Sequence, residues 1–271
     1  MSFETSCIVD ELKTGDPGFV QNRIAAFAGL LLLLNAPLSI RAEVTPAATA
    51  GYEAYRTLVE SRLSQQHRAP DSFLASTPSP RQDVTIEQLK PPSGNDLPGA
   101  LLHHWRGTAF APGAKVADFE HLLRDVNSYP KYFAPQVLQA RVTAQDGDHM
   151  QTWMRVRQHH VITVVLDADY DVTFGRIDAQ HGYSISRSTR ISEIDASGNS
   201  ADHGFLWRLS TYWTYQERDG GLDLQIESVS LTRSIPRGLG WVIRPYIESI
   251  PRESLEFTLR SAVAALRNQS H

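Results

Sequence analysis

The side chains able to do chemistry are few, and their spacing restricts what they could do. His103-His104 and His159-His160 are adjacent pairs in segments that read as strands, and neighbours on a strand point to opposite faces. Each pair can therefore turn only one imidazole inward. Neither a His-x-His spacing nor a His-Glu-x-x-His motif accompanies them, so a metal site is not expected. Asp167, Asp169 and Asp171 share one face at period two. Three carboxylates so placed could converge on calcium, but on a polar strand face they are solvated, and no metal is assigned to them. Arg187 shares its parity with Tyr183, Ile185 and Ile191. It is either an inward guanidinium that would take a carboxylate or phosphate headgroup in its fork, or a partner of Glu227, or an exposed residue at a sheet edge. No Gly-x-Ser-x-Gly elbow is present, and Gly238-Leu239-Gly240 follows Pro236 and lacks a third glycine. No catalytic residue and no nucleotide or other cofactor is assigned on these grounds.

The elements that would hold these groups are legible from periodicity. Tyr52, Tyr55, Leu58, Val59, Arg62 and Leu63 recur at helical spacing within residues 46–67. Residues 69–99 then gather Pro70, Pro78, Pro80, Pro91, Pro92, Gly94, Pro98 and Gly99, a stretch expected to be extended and mobile. Residues 101–110 suit a strand. Val116, Phe119, Leu122, Leu123 and Val126 mark one face of a short helix, which Asn127-Ser128-Tyr129-Pro130 breaks before a second, aromatic turn. From Val137 to Arg233 strands succeed one another, separated by Asp146-Gly147-Asp148, by residues 179–182, by residues 195–204 and by Asp219-Gly220-Gly221. Separators this short force antiparallel neighbours, hence a meander. In its last strand the apolar parity switches from Leu222, Leu224 and Ile226 to Val229 and Leu231, which predicts a bulge near Glu227 and Ser228. After Pro236 the chain reads as helix to its end, with a start or kink at Pro251. The fold class is α+β: a curved antiparallel sheet of six to seven strands gripping a long C-terminal helix, with two short helices after the first strand.

Ahead of all this, residues 24–34 are apolar or Gly, flanked by Arg23 and followed by Pro37 and Ile40-Arg41-Ala42. The run is too short to span a bilayer and resembles a cleaved secretory signal, with an N-terminal anchor as the alternative. The acidic lead of Glu4, Asp10, Glu11 and Asp16 suggests initiation near Val20. Three regions result: a leader over residues 1–42 with the signal at about 20–42, a helical extension and Pro-rich linker over 43–99, and a main domain over 100–271. Cys7, the one cysteine, falls in the leader, so the mature chain would have no disulfide. A net charge of −4 without a basic block speaks against nucleic acid.

The element order resembles the START-like superfamily, also called SRPBCC or helix-grip proteins. The resemblance is carried by Phe119 to Phe133, including Asp125-Val126-Asn127-Ser128-Tyr129-Pro130, and by Trp213-Thr214-Tyr215, Glu227-Ser228-Val229-Ser230-Leu231 and Ile235-Pro236-Arg237-Gly238-Leu239. It implies a space between sheet and helix that takes an apolar small molecule such as a lipid or quinone. Met154, Val156, Leu166 and Tyr170 are expected to line it, with Ile185, Arg187, Leu209 and Trp213. Ile243, Tyr246 and Ile247 would close it from the helix, and Tyr132 and Phe133 would form its gate. The reading is an exported carrier in the periplasm or outside the cell, with transient membrane contact compatible with it. Two alternatives stand beside it: a cyclase or aromatase using Tyr170, Arg187 or an inward histidine, and a ligand-free interaction module using residues 52–63 as a partner-binding helix.

Overall fold

The computed structural model describes residues 43–69, 72–75, 84–159, 163–195, 197–200, 204–218, 220–234 and 240–269, and for 159, 240–248 and 269 the backbone alone. The leader and its signal lie outside the described residues, as do His160 and residues 70–71 and 76–83 of the Pro-rich stretch.

Thr45 caps the first helix, its Oγ1 accepting the Ala48 N–H at 3.1 Å, and Pro46 takes the first turn, where its missing N–H costs nothing. This helix, α1, is Pro46–Gln66. Strands β1 (Val84–Gln88), β2 (Asp96–Leu97) and β3 (Ala100–Pro112) follow, then the short helices α2 (Val116–Arg124) and α3 (Tyr129–Tyr132). The remainder is β4 (Val137–Asp146), β5 (His149–His159), β6 (Thr163–Arg176), β7 (His181–Ile194), β8 (Arg208–Arg218), β9 (Gly221–Arg233) and α4 (Gly240–Gln269). The strands pair antiparallel in the order β1-β3-β9-β8-β7-β6-β5-β4, with β2 also on β3. Six consecutive strands thus form the expected meander, and β3 closes the sheet beside β9. The two strands beyond the expected number come from the Pro- and Gly-rich stretch. Val84 pairs with Ala109 and Gln88 with Trp105, so part of the expected mobile linker is an edge strand.

Both faces of the sheet are covered. On the inner face Leu255, Leu259, Val263 and Leu266 of α4 meet Phe119 and Leu122 of α2 and Leu222, Leu224 and Ile226 of β9. Gly107 lets α4 lie close to β3, since a Cβ there would sit 2.4 Å from a methyl of Leu259. On the outer face Ala48, Tyr52, Val59 and Leu63 of α1 pack with Leu102, Tyr212, Val229 and Leu231. The helix therefore covers its own sheet with Tyr52, Val59 and Leu63, while Leu58 of the stripe considered for partner binding stays exposed. The same arrangement corrects the bulge expected at Glu227. β9 keeps unbroken register with both β3 and β8. Odd positions face outward throughout, and the apolar residues change sides because α1 covers that end. True irregularities occur instead in β4 and between β6 and β7, where an extra residue bends the strand. The C-terminal helix runs as one element through Pro251, where a start or kink was expected.

Candidate functional site

The inner face is not filled along its whole width. Toward β5, β6 and β7 the space beneath α4 stays open, as a cavity of about 220 Å³. Met150, Met154 and Val156 of β5, with Leu166, Ala168, Tyr170, Val172 and Phe174 of β6, form much of its floor. Leu209, Thr211 and Trp213 of β8 extend it. Ser254, Phe257 and Thr258 of α4 lie on the other side, and Leu123, Val126, Tyr129 and Phe133 close one end. A hydrogen bond from Gln158 Nε2 to Ser254 Oγ, 3.2 Å, ties β5 to α4 where both line the space.

Of the residues expected from sequence, Met154, Val156, Leu166, Tyr170, Leu209 and Trp213 line this cavity, as does Phe133 at the expected gate. Ile185, Arg187 and Tyr132 do not. Tyr132 donates instead to Asp125 Oδ2 at 2.9 Å, one helical step away from the direction Phe133 takes. Ile185 packs against the α1 cluster on the outer face. Arg187 lies on that face too, where its Nε donates to Glu60 of α1 at 2.7 Å. Its partner is thus neither a headgroup nor Glu227. The parity argument failed at one residue: Tyr170 pairs with Ser188 but Asp169 with Arg190, so Thr189 is extra. Ile191 reaches the cavity while Ile185 and Arg187, on the other side of the slip, face away. The side chains of Ile243, Tyr246 and Ile247 are outside the described residues. Among the residues not anticipated, Thr152, Ala168, Val172, Phe174, Ser184 and Ser186 follow from extending the alternation of β5 and β6, and from reading β7 from its even positions.

The described lining holds no carboxylate, imidazole, amine or guanidinium. Its titratable groups are the phenols of Tyr129 and Tyr170, both pushed up by burial. Tyr129 donates to Leu123 O at 2.7 Å. Both phenols keep their protons near neutrality, so the described lining can donate hydrogen bonds. Of the histidines considered for proton transfer, His103 and His104 lie elsewhere, and the side chains of His159 and His160 are outside the described residues. His103 Nε2 is 2.9 Å from Thr232 Oγ1, and burial pushes the imidazole down to about 4. His104 sits under α1 between Tyr55 Oη at 2.8 Å and Glu227 Oε2 at 2.9 Å.

Glu227 is the centre of an outer-face network. It also accepts from Arg106 Nε at 2.9 Å and from Arg62. Burial alone would raise this carboxyl, but the His104 hydrogen bond and the charges of Arg62 and Arg106 outweigh it and hold the pKa at about 2. The aspartates of β6 are paired on their own face: Arg155 grips Asp167 with two bonds of 2.7 and 2.8 Å, and Arg190 reaches Asp169 at 2.7 Å. Among the described residues no three His, Cys, Asp or Glu side chains gather as a metal site would need.

No protein-family model and no curated protein matches the sequence. Solved structures do. A STAR-related lipid transfer protein from Xanthomonas axonopodis is similar at 18% identity, over 66% of this chain and 98% of that one, with a TM-score of 0.43. The Zhui aromatase/cyclase from Streptomyces sp. R1128 shares 10% identity over 63% and 96%, TM-score 0.46. Human STARD10 shares 10% over 69% and 72%, TM-score 0.47. At this distance such likenesses leave function to the site itself. What the strand order, the short helices after β3 and the terminal helix on the inner face establish by themselves is the architecture: this chain has the helix-grip fold.

Proposed function

We propose that the protein binds and carries an apolar small molecule in the space between β5–β8 and α4. The observation that carries this reading is the cavity of about 220 Å³ with an uncharged, mostly apolar lining. Water gains little from such a space, whereas hydrocarbon gains roughly 25 cal/mol for every Å² it withdraws from solvent. Chemistry of the cyclase kind would need a titratable pair within reach of the ligand, and the described lining supplies two protonated phenols instead. The expected site of action is the periplasm or the exterior, on the strength of the signal-like residues 24–34. An apolar molecule crossing an aqueous compartment needs such a cover.

Native mass spectrometry of the intact protein, followed by organic extraction, tests the carrier reading. A stoichiometric adduct that extraction releases is the expected result. An extract matching the buffer background, from protein whose mass shows no adduct, would overturn it. Fractionation of cells producing the full chain tests the location: mature protein shortened by about 42 residues should appear outside the cytoplasm.

A further inference from the structure

The cavity carries a row of hydroxyls across its floor. Thr152 of β5 stands directly opposite Tyr170 of β6, and Ser186 of β7 directly opposite Thr211 of β8. Tyr170 and Ser186 are diagonal neighbours, because Ser186 pairs with Val172. All four line the same space. Apolar side chains flank the row, Phe174 and Trp213 on one side and Leu166 and Leu209 on the other. Thr152 is the informative member. It is 2% exposed, and its Oγ1 has no hydrogen-bond partner. A buried hydroxyl without a partner is costly, and valine would fill the same volume without that cost. Less than 1 Å² of that oxygen is exposed, so it gains a partner only where an occupant's arrival turns it to the cavity surface.

Resting on the carrier reading, we infer that the cavity selects an uncharged amphiphile, one whose hydroxyl, carbonyl or quinone oxygen bonds to the Thr152–Tyr170 row. An ionised carboxylate or phosphate would find no counter-charge among the described lining residues. The one arginine expected inward is held by Glu60 on the outer face. Burial keeps the Tyr170 phenol protonated, so it remains a donor at neutral pH.

Three probes of matched shape separate these claims: butylbenzene, 4-butylphenol and 4-butylbenzoate, titrated calorimetrically at pH 7.5 into the full chain after removal of co-purified ligand. The phenol is expected to bind at least about tenfold tighter than the ionised benzoate. Thr152→Val should weaken the phenol about fivefold and leave butylbenzene unchanged. Ser186→Ala is the second variant, should Thr152→Val unfold early. Benzoate binding as tightly as the phenol would overturn the inference, as would equal loss of phenol and butylbenzene in the variant. In both cases the carrier reading would survive. Failure of all three probes to bind would overturn the two together.

Discussion

Glu227 is fully buried and holds its charge because three partners converge on it, so its removal has a calculable consequence. Breaking a buried pair from one side leaves the other charge uncompensated, which costs about 3–5 kcal/mol. Glu227→Gln should fall near about 3 kcal/mol, because Arg62 is 39% exposed and can turn to water. Urea unfolding at pH 7 measures this, and a loss under about 0.5 kcal/mol would remove Glu227 from the framework. The pH dependence has a definite sign. A carboxyl whose folded pKa is about 2, below its ordinary 4.5, contributes stability that is whole above pH 4.5 and disappears as pH falls toward 2. Burial pushes His67 and His103 down to about 4, so they stay neutral in the fold while the unfolded chain takes up protons below 6.5. They remove stability earlier, between pH 6.5 and 4. The wild type should therefore lose stability in two stages on acidification, and Glu227→Gln should lose less in the second, where Glu60 still contributes; identical profiles below pH 4.5 would refute the assignment.

Among the elements, α1 changes most between sequence and structure. Its helical spacing was plain, but an isolated sequence does not say which surface an amphipathic helix covers. The answer lay in β9, where Val229 and Leu231 are apolar on the outer face. Once both faces are known to be covered, the parity switch that suggested a bulge becomes the imprint of α1. Strand order and turns were legible because turn residues act locally. The lining was legible on β5, β6 and β8, where alternation is regular, and was lost on β7, where Thr189 slips the register. Thr152 gave no signal, since a threonine on a strand is ordinary until its unpaired oxygen is seen beneath a helix. If α1 belongs to the core, Leu63→Ala should cost about 2–5 kcal/mol, as deletions in packed interiors do. Guanidinium unfolding with the slope compared to wild type checks this. A separate, earlier transition for α1 would instead make it a detachable cover.

For the molecule as a whole, the decisive property is that the inner face is solid at one end and hollow at the other. Beneath the β3 and β9 end, Leu259, Phe119 and Ile226 interlock. Beneath β5–β7 the same helix leaves room, and the two regions should answer oppositely to added volume. Ala168 pairs with Met154 on one side and Ile191 on the other, in the cavity floor, and is 2% exposed. In a filled interior a phenyl ring there would force its neighbours off their rotamers and cost about 1–3 kcal/mol. In a hollow one it occupies empty space and gains contacts with the lining. Ala168→Phe should thus unfold at the wild-type denaturant concentration or above it, while losing the co-purified ligand and the capacity to bind butylbenzene. The equivalent enlargement at the solid end, Ala109→Phe, should destabilise the protein by several degrees without touching the binding site. If Ala168→Phe proved as destabilising as Ala109→Phe, the space would be too small to hold anything, and the protein would be a helix-grip fold with a closed interior.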